Sequence, residues 1–180
     1  LGFIGRAIAE SLSNNNLVII VDNNFRKKKI DGLKNKNIKI IKIDITEKNN
    51  FKKINYKIDS VIHLAFINGT NFFYEKPDLV LDVAIKGIIN VIDYCKKKSI
   101  EEFYLASSSE VYQDAKKIPT DEKVQMIIPD PHNPRYSYAA GKIISELILL
   151  NNTFLKRSII FRPHNIYGPN MGYNHVIPEI

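Results

Sequence analysis

The chain has no tryptophan, one cysteine and two methionines among its 180 residues. A single thiol, Cys95, closes no internal disulfide and has no partner for a metal site. It lies in an apolar run of helical spacing, where a thiol packs as a small hydrophobe. Long hydrophobic runs are missing too. No uninterrupted stretch approaches the ~20 residues needed to span a bilayer, and the first residues do not read as a basic region, an apolar run and a cleavage site. The expectation is a cytoplasmic chain without a membrane partner or a metal. Internal repeats and low-complexity linkers are also lacking.

Acidic residues are the scarcer charge: 19 Asp and Glu stand against 26 Lys and Arg, a formal charge of +7. Clustered cations attract phosphates. The basic runs Arg26-Lys27-Lys28-Lys29 and Lys96-Lys97-Lys98, however, fall where loops or helix ends are expected. Lysine at a helix C-terminus meets a favourable dipole. Lysine, asparagine and isoleucine abound throughout, so the charge reads as compositional bias and no nucleic-acid partner is expected.

What is present is a chain long enough for one good core, with short apolar runs alternating with helical patterns. Gly2 and Gly5, followed by Ile8, Ala9 and Leu12, read as the end of a glycine-rich turn and the helix it opens. Leu17 to Val21 is a branched apolar run suited to a buried parallel strand, and Ile38 to Ile45 and Ser60 to Phe66 read as further strands. Pro77 to Lys98 has a helical face of Val80, Val83, Ala84, Gly87, Ile88, Val91, Ile92 and Cys95. Phe103 to Ala106 and Ser158 to Arg162 complete the strands, and Tyr112 to Pro134 is a polar, proline-bearing loop. This alternation argues for an α/β fold, a doubly wound parallel sheet with right-handed crossovers.

Three tyrosines are followed four residues later by lysine: Tyr94 with Lys98, Tyr112 with Lys116, and Tyr138 with Lys142. Such a pair arises about once by chance in a chain rich in both, so context has to choose. After Tyr138, the residues Ile143, Ile144, Leu147, Ile148 and Leu150 recur at helical spacing, which puts Tyr138 and Lys142 one turn apart on one face. Ser107 to Ser109 end the preceding strand. A hydroxyl, a phenol and an ammonium are thereby expected at the carboxyl edge of a sheet.

Taken in order, several segments resemble the extended short-chain dehydrogenase/reductase family of NAD-dependent nucleotide-sugar epimerases, dehydratases and decarboxylases. They are Gly2-Phe3-Ile4-Gly5, Val21-Asp22, Asp44-Ile45, Val61-Ile62-His63-Leu64-Ala65, Ser108 to Tyr112, Tyr138 to Lys142 and Arg162 to Pro169. The resemblance implies a Rossmann-like NAD-binding domain over residues 1–168, with 169–180 beginning a substrate domain. It also implies that a first strand and most of that second domain lie outside the chain.

By the same resemblance, Gly2, Phe3, Ile4 and Gly5 would bring backbone amides to a pyrophosphate at a helix N-terminus. Asp22 would accept from the adenosine ribose and favour NAD over its 2′-phosphate; the alternative is a turn aspartate. Asp44 and Ile45 would lie against the adenine; without the resemblance Asp44 is a cap for Thr46-Glu47. Leu64, Ala65 and Pro163 would line the dinucleotide, whereas His63 reads as a core histidine. Ser108 would orient the substrate hydroxyl and Tyr138 remove its proton, with Lys142 lowering the phenol and holding the nicotinamide ribose.

The reaction outcome stays open among epimerisation, dehydration and decarboxylation. Ser108-Ser109-Glu110 is similar to the threonine-serine-glutamate of decarboxylases and some dehydratases, so Glu110 could move a ring proton; the alternative is a solvated glutamate. Ser109 and Asn165 would bind a nucleotide-diphosphate sugar, and Arg135 an anion unless it is merely exposed. Ala84 stands where many relatives have asparagine, which raises a second reading as a non-catalytic NAD-binding protein. A homodimer through the helices at 77–98 and 136–150 is also implied.

Overall fold

A computed structural model of the chain describes residues 1–26, 33, 35–168 and 171. Among these residues are five strands: β1 (Val18–Asp22), β2 (Ile38–Lys42), β3 (Ser60–His63), β4 (Glu102–Ala106) and β5 (Arg157–Phe161). Four α-helices accompany them, α1 (Phe3–Leu12), α2 (Thr70–Glu75), α3 (Pro77–Lys98) and α4 (Ser137–Leu150). Every ladder is parallel. β1 pairs with β2 from Val18 opposite Ile38 to Asp22 opposite Lys42. β4 lies between β3 and β5, with Val61 opposite Phe103 and Phe103 opposite Ser158. Among the described residues no ladder joins the two sheets, so the sheet expected as one is described as two.

The chain forms two compact units, one of Leu1–Asn55 with the segment that begins at Asn165, the other of Tyr56–His164. In the first, α1 packs on β1, and Ile38, Ile43, Ile45 and Phe51 are buried. Two expected strands are shorter than their apolar runs. β2 stops at Lys42 because Asp44 turns the chain by accepting from the Thr46 amide, and β3 stops at His63, short of Phe66.

In the second unit the helix expected from Pro77 to Lys98 has those bounds. Pro77 occupies its first turn, where a missing N–H costs nothing, with Asp78 beside it at the positive end of the dipole. Lys96, Lys97 and Lys98 fill the last turn, and Ser99, in the left-handed region at φ 56°, donates its amide back to the helix. Val80, Ala84, Ile88 and Cys95 are almost wholly buried, with Phe103 and Leu105 of β4. α3 packs along α4, so both crossover helices of this unit share one layer.

In α4 the buried face differs from the apolar recurrence that marks the helix in the sequence. Ala139, Gly141, Lys142, Ser145, Glu146 and Leu149 are buried, while Leu147 and Leu150 are 49% and 61% exposed. Burying an ammonium and a carboxylate is costly unless each is partnered, and both find partners here.

Candidate active site

In the second unit, β4 delivers Ser107, Ser108 and Ser109 to its carboxyl end. The Ser107 amide donates to the Phe161 carbonyl at 2.8 Å and the Ser109 amide to the Pro163 carbonyl at 3.0 Å, which extends the ladder past the strand. The Ser108 hydroxyl accepts from the Glu110 amide at 3.2 Å and so caps the short 3₁₀ turn Ser109–Val111. At the start of α4, the Asn133 side chain accepts from the Arg135 amide, and Pro134 opens a turn that leads into the helix. Tyr138 thus enters on the first turn of α4, with Lys142 one turn on.

The structure brings the Ser108 hydroxyl close enough to Tyr138 to act on its phenol. Burial pushes the Tyr138 phenol above its ordinary value; the Ser108 hydroxyl acts the other way, and the Glu110 carboxylate adds to the rise. Its ring meets Phe66 edge-on, at 5.2 Å between centroids and 82°. Phe73 stacks on it at 5.0 Å and 27°.

Lys142 is 4% exposed. Its ammonium donates to the Ala106 carbonyl at 2.7 Å, lies 3.9 Å from the centre of the Phe66 ring and 5.5 Å from that of Tyr138. Burial pulls the amine down to about 7, against the opposing effect of Glu146. His63 is buried beside Phe103; desolvation, with the nearby charge of Lys142, lowers its ring to about 3. It is therefore a neutral core histidine.

Glu146, 0% exposed, is gripped by Arg162 through two parallel bonds, Nε to Oε1 at 2.9 Å and Nη2 to Oε2 at 2.6 Å. Paired forks of this kind are the strong form of the carboxylate–guanidinium contact. The same guanidinium donates to the Tyr112 hydroxyl at 2.9 Å and the Glu122 carbonyl at 3.2 Å. One buried carboxylate thereby ties α4 to the end of β5 and to the loop after Ser109. Glu110 itself is exposed, as is Arg135, and the Gln113 side chain donates to the Glu110 backbone carbonyl.

The first unit holds the residues expected at the other end of a dinucleotide. Gly2 precedes α1 in extended conformation, and no side chain caps the first-turn amides; an uncapped N-terminal turn suits a diphosphate. Asp22, at the carboxyl end of β1, accepts from the Asn24 amide at 2.6 Å and lies 2.7 Å from the Leu1 nitrogen. Asp44 accepts from the Thr46 hydroxyl at 2.7 Å and from Asn23 at 2.9 Å. Burial opposes its charge most strongly as a single cause, but the bonds from Asn23 and Thr46 together hold the carboxyl below its ordinary value. Ile45 is 8% exposed in the core of this unit, and Asn165 is exposed.

Ser108, Glu110, Tyr138 and Lys142 therefore share the second unit with Leu64, Ala65 and Pro163. Gly2, Phe3, Ile4, Gly5, Asp22, Asp44, Ile45 and Asn165 share the first. Residues 169–170 and 172–180, expected to begin a substrate domain, lie outside the described residues. Sequence reasoning missed Phe66, Phe73, Glu146 and the grip of Arg162. Glu146 follows Lys142 by four residues, a spacing that puts it on the same face; nothing in the sequence marks Phe73. Buried hydroxyls of Ser107 and Ser137, next to Ser108 and Tyr138, have no partner among the described residues, and no cluster among these residues could hold a metal ion.

The profile of the NAD dependent epimerase/dehydratase family matches residues 1–180. A UDP-glucuronate 4-epimerase of Thermodesulfobacterium geofontis is 29% identical over 93% of the chain and 54% of its own length. A dTDP-D-glucose 4,6-dehydratase of Dictyostelium discoideum is 28% identical over 99% of the chain and 45% of its own. Among solved structures, a UDP-N-acetylglucosamine 4-epimerase from Methanobrevibacter ruminantium, in complex with UDP-N-acetylmuramic acid, superposes with a TM-score of 0.85. It is 29% identical and is matched over 99% of the chain and 58% of its own. The chain spans about half the length of these relatives.

Proposed function

As a chain that belongs to the NAD dependent epimerase/dehydratase family, it is one for which we propose a nucleotide-sugar epimerase or dehydratase activity that passes through a transient 4-keto sugar. The observation that carries this reading is the approach of the Ser108 hydroxyl to the Tyr138 phenol at the carboxyl end of β4, with Lys142 buried one turn along α4. The names of a UDP-glucuronate 4-epimerase and a dTDP-D-glucose 4,6-dehydratase among the relatives support a nucleotide-diphosphate sugar as the substrate class.

The residues present suit NAD. Uncapped amides at α1 fit its diphosphate, Asp22 at the end of β1 offers acceptors that a ribose can use and a 2′-phosphate would oppose, and the unpartnered hydroxyls of Ser107 and Ser137 offer polar groups near the reacting side chains. NAD, when bound, supplies the acceptor for hydride from the sugar carbon. Ser108 orients the sugar hydroxyl and Tyr138 takes its proton. That role requires stabilising the phenolate by up to about 4 kcal/mol relative to an ordinary phenol near ~10. Burial works against this, so the charge of Lys142 and the Ser108 hydroxyl have to supply it. Glu110 is exposed and acts on the charge of Tyr138, a position from which it can exchange a proton with substrate. Ser109 and Asn165 are assigned to substrate, and Leu64, Ala65 and Pro163 to the dinucleotide. The setting is cytoplasmic.

A second reading, a non-catalytic NAD-binding protein, is favoured by one observation: the Lys142 ammonium donates to the Ala106 carbonyl and faces Phe66. Tyr138→Phe separates the two. An enzyme retains NAD binding and loses turnover by roughly 10²–10⁴-fold, the usual worth of a general base; unchanged turnover would sink the catalytic assignment. Exposed Ile89 on α3 and Leu147 and Leu150 on α4 support a homodimer through these helices, an assignment that sedimentation of the protein as a monomer at all concentrations would overturn.

A further inference from the structure

The Phe66 ring touches both members of the tyrosine–lysine pair. Its face lies under the Lys142 ammonium at 3.9 Å, and its ring meets that of Tyr138 edge-on at 5.2 Å. Room for it comes from two small residues. A Cβ at Gly141 would stand 2.9 Å from Phe66 Cζ and 2.7 Å from the Ala84 Cβ, so the ring tip rests on α4 backbone where any larger residue would collide. Ala84, buried against that point at 1% exposure, leaves no polar side chain for the ammonium from α3. Among the described residues, the ammonium donates its hydrogen bond to the Ala106 carbonyl.

We propose that Phe66 is a positioning residue of the candidate active site: its π face holds the Lys142 ammonium in a site otherwise closed to water, and its edge fixes the plane of the Tyr138 ring. The inference rests on the reading of Tyr138 and Lys142 as the reacting pair. A cation over an aromatic face is held by the ring quadrupole, and the attraction grows when water is excluded. Burial alone would drive Lys142 toward its neutral form. Phe66 and Glu146 oppose that tendency from β3's side of the site and from α4, while His63, neutral on β3, contributes no charge. Tyr138, half-buried and with its phenol raised, likewise presents no charge at neutral pH.

The test is a series of ring-fluorinated phenylalanines introduced at position 66 of the full chain, with Phe66→Leu alongside. Fluorination keeps the shape of the ring while draining its face of negative charge. The readout is the titration of Lys142, followed by NMR of 13Cε-labelled lysine. The midpoint should fall stepwise with fluorination, by about one pH unit across the series and in Phe66→Leu. In the variants, formation of the keto intermediate should slow while the KM for nucleotide sugar holds. A midpoint indifferent to fluorination, in proteins whose thermal melts match the parent, would overturn the proposal and leave Phe66 as packing. If the unsubstituted protein turns over no nucleotide sugar, the functional reading fails on its own, and the Lys142 midpoint still decides whether Phe66 holds the ammonium.

Discussion

Single residues in the second unit carry unusual electrostatic loads. His63 has no charged partner to offset its burial, so its ring stays neutral down to about pH 3, against an ordinary value of 6.5. The folded protein then binds fewer protons than the unfolded chain between those values. This contribution to stability is complete above about pH 6.5 and is lost as pH falls toward 3. The limiting slope is about 1.4 kcal/mol per pH unit. Urea unfolding of His63→Gln should show a shallower loss across that window than the parent; equal slopes would mean that the ring finds a proton-stabilising partner. Arg162 and Glu146 show the opposite solution, a buried carboxylate satisfied by a partly buried guanidinium. Such pairs stabilise little relative to apolar residues, but removing one partner strands a buried charge, so their worth here lies in fixing where α4 meets the loop at Tyr112.

At the scale of elements, the contact of α3 with α4 is set by its smallest residues. Gly141 and Ala84 let the helices approach closely enough that an added Cβ would meet a neighbouring Cβ at 2.7 Å. Ala84 Cβ is fixed to its helix and cannot swing away. Gly141→Ala gains about 1 kcal/mol of helix propensity, while overpacking costs about 1–3 kcal/mol, so a net loss in thermal stability is expected. In a cycle with Ala84→Gly the loss should be partly recovered beyond additivity; strict additivity would show that the clash is absorbed elsewhere. α4 also shows what a sequence pattern leaves open. The isoleucines and leucines after Tyr138 identify the helix correctly, yet Lys142, Ser145 and Glu146 occupy the buried face. Periodicity reports that a helix has two faces. Which face turns inward depended on the Ala106 carbonyl and on Arg162, both distant in the sequence.

For the whole molecule, the expected cofactor residues divide between two compact units, with the Ser108–Tyr138–Lys142 chemistry in one and Gly2, Asp22 and Asp44 in the other. A ligand that binds only the folded chain stabilises it by mass action. NAD at about 100 times its dissociation constant should add about 2.7 kcal/mol, visible as a clear rise in the thermal midpoint. A melt unmoved by saturating NAD would refute cofactor binding by this chain. NADP should shift it less if Asp22 meets the adenosine ribose, where its carboxylate would oppose a 2′-phosphate.

The sequence by itself determined the five parallel strands and their α/β class, the bounds of the helix Pro77–Lys98, and that Tyr138 and Lys142 stand one turn apart on a helix. Each of these follows from local periodicity, capping and the order of short segments, all of which are written along the chain. Only the tertiary structure decided that Ser108 reaches Tyr138, that Lys142 spends its protons on the Ala106 carbonyl, and that Phe66 lies beneath it. Those facts depend on contacts between residues 30 to 76 positions apart, and on the room that Gly141 and Ala84 leave. No local pattern encodes such distances.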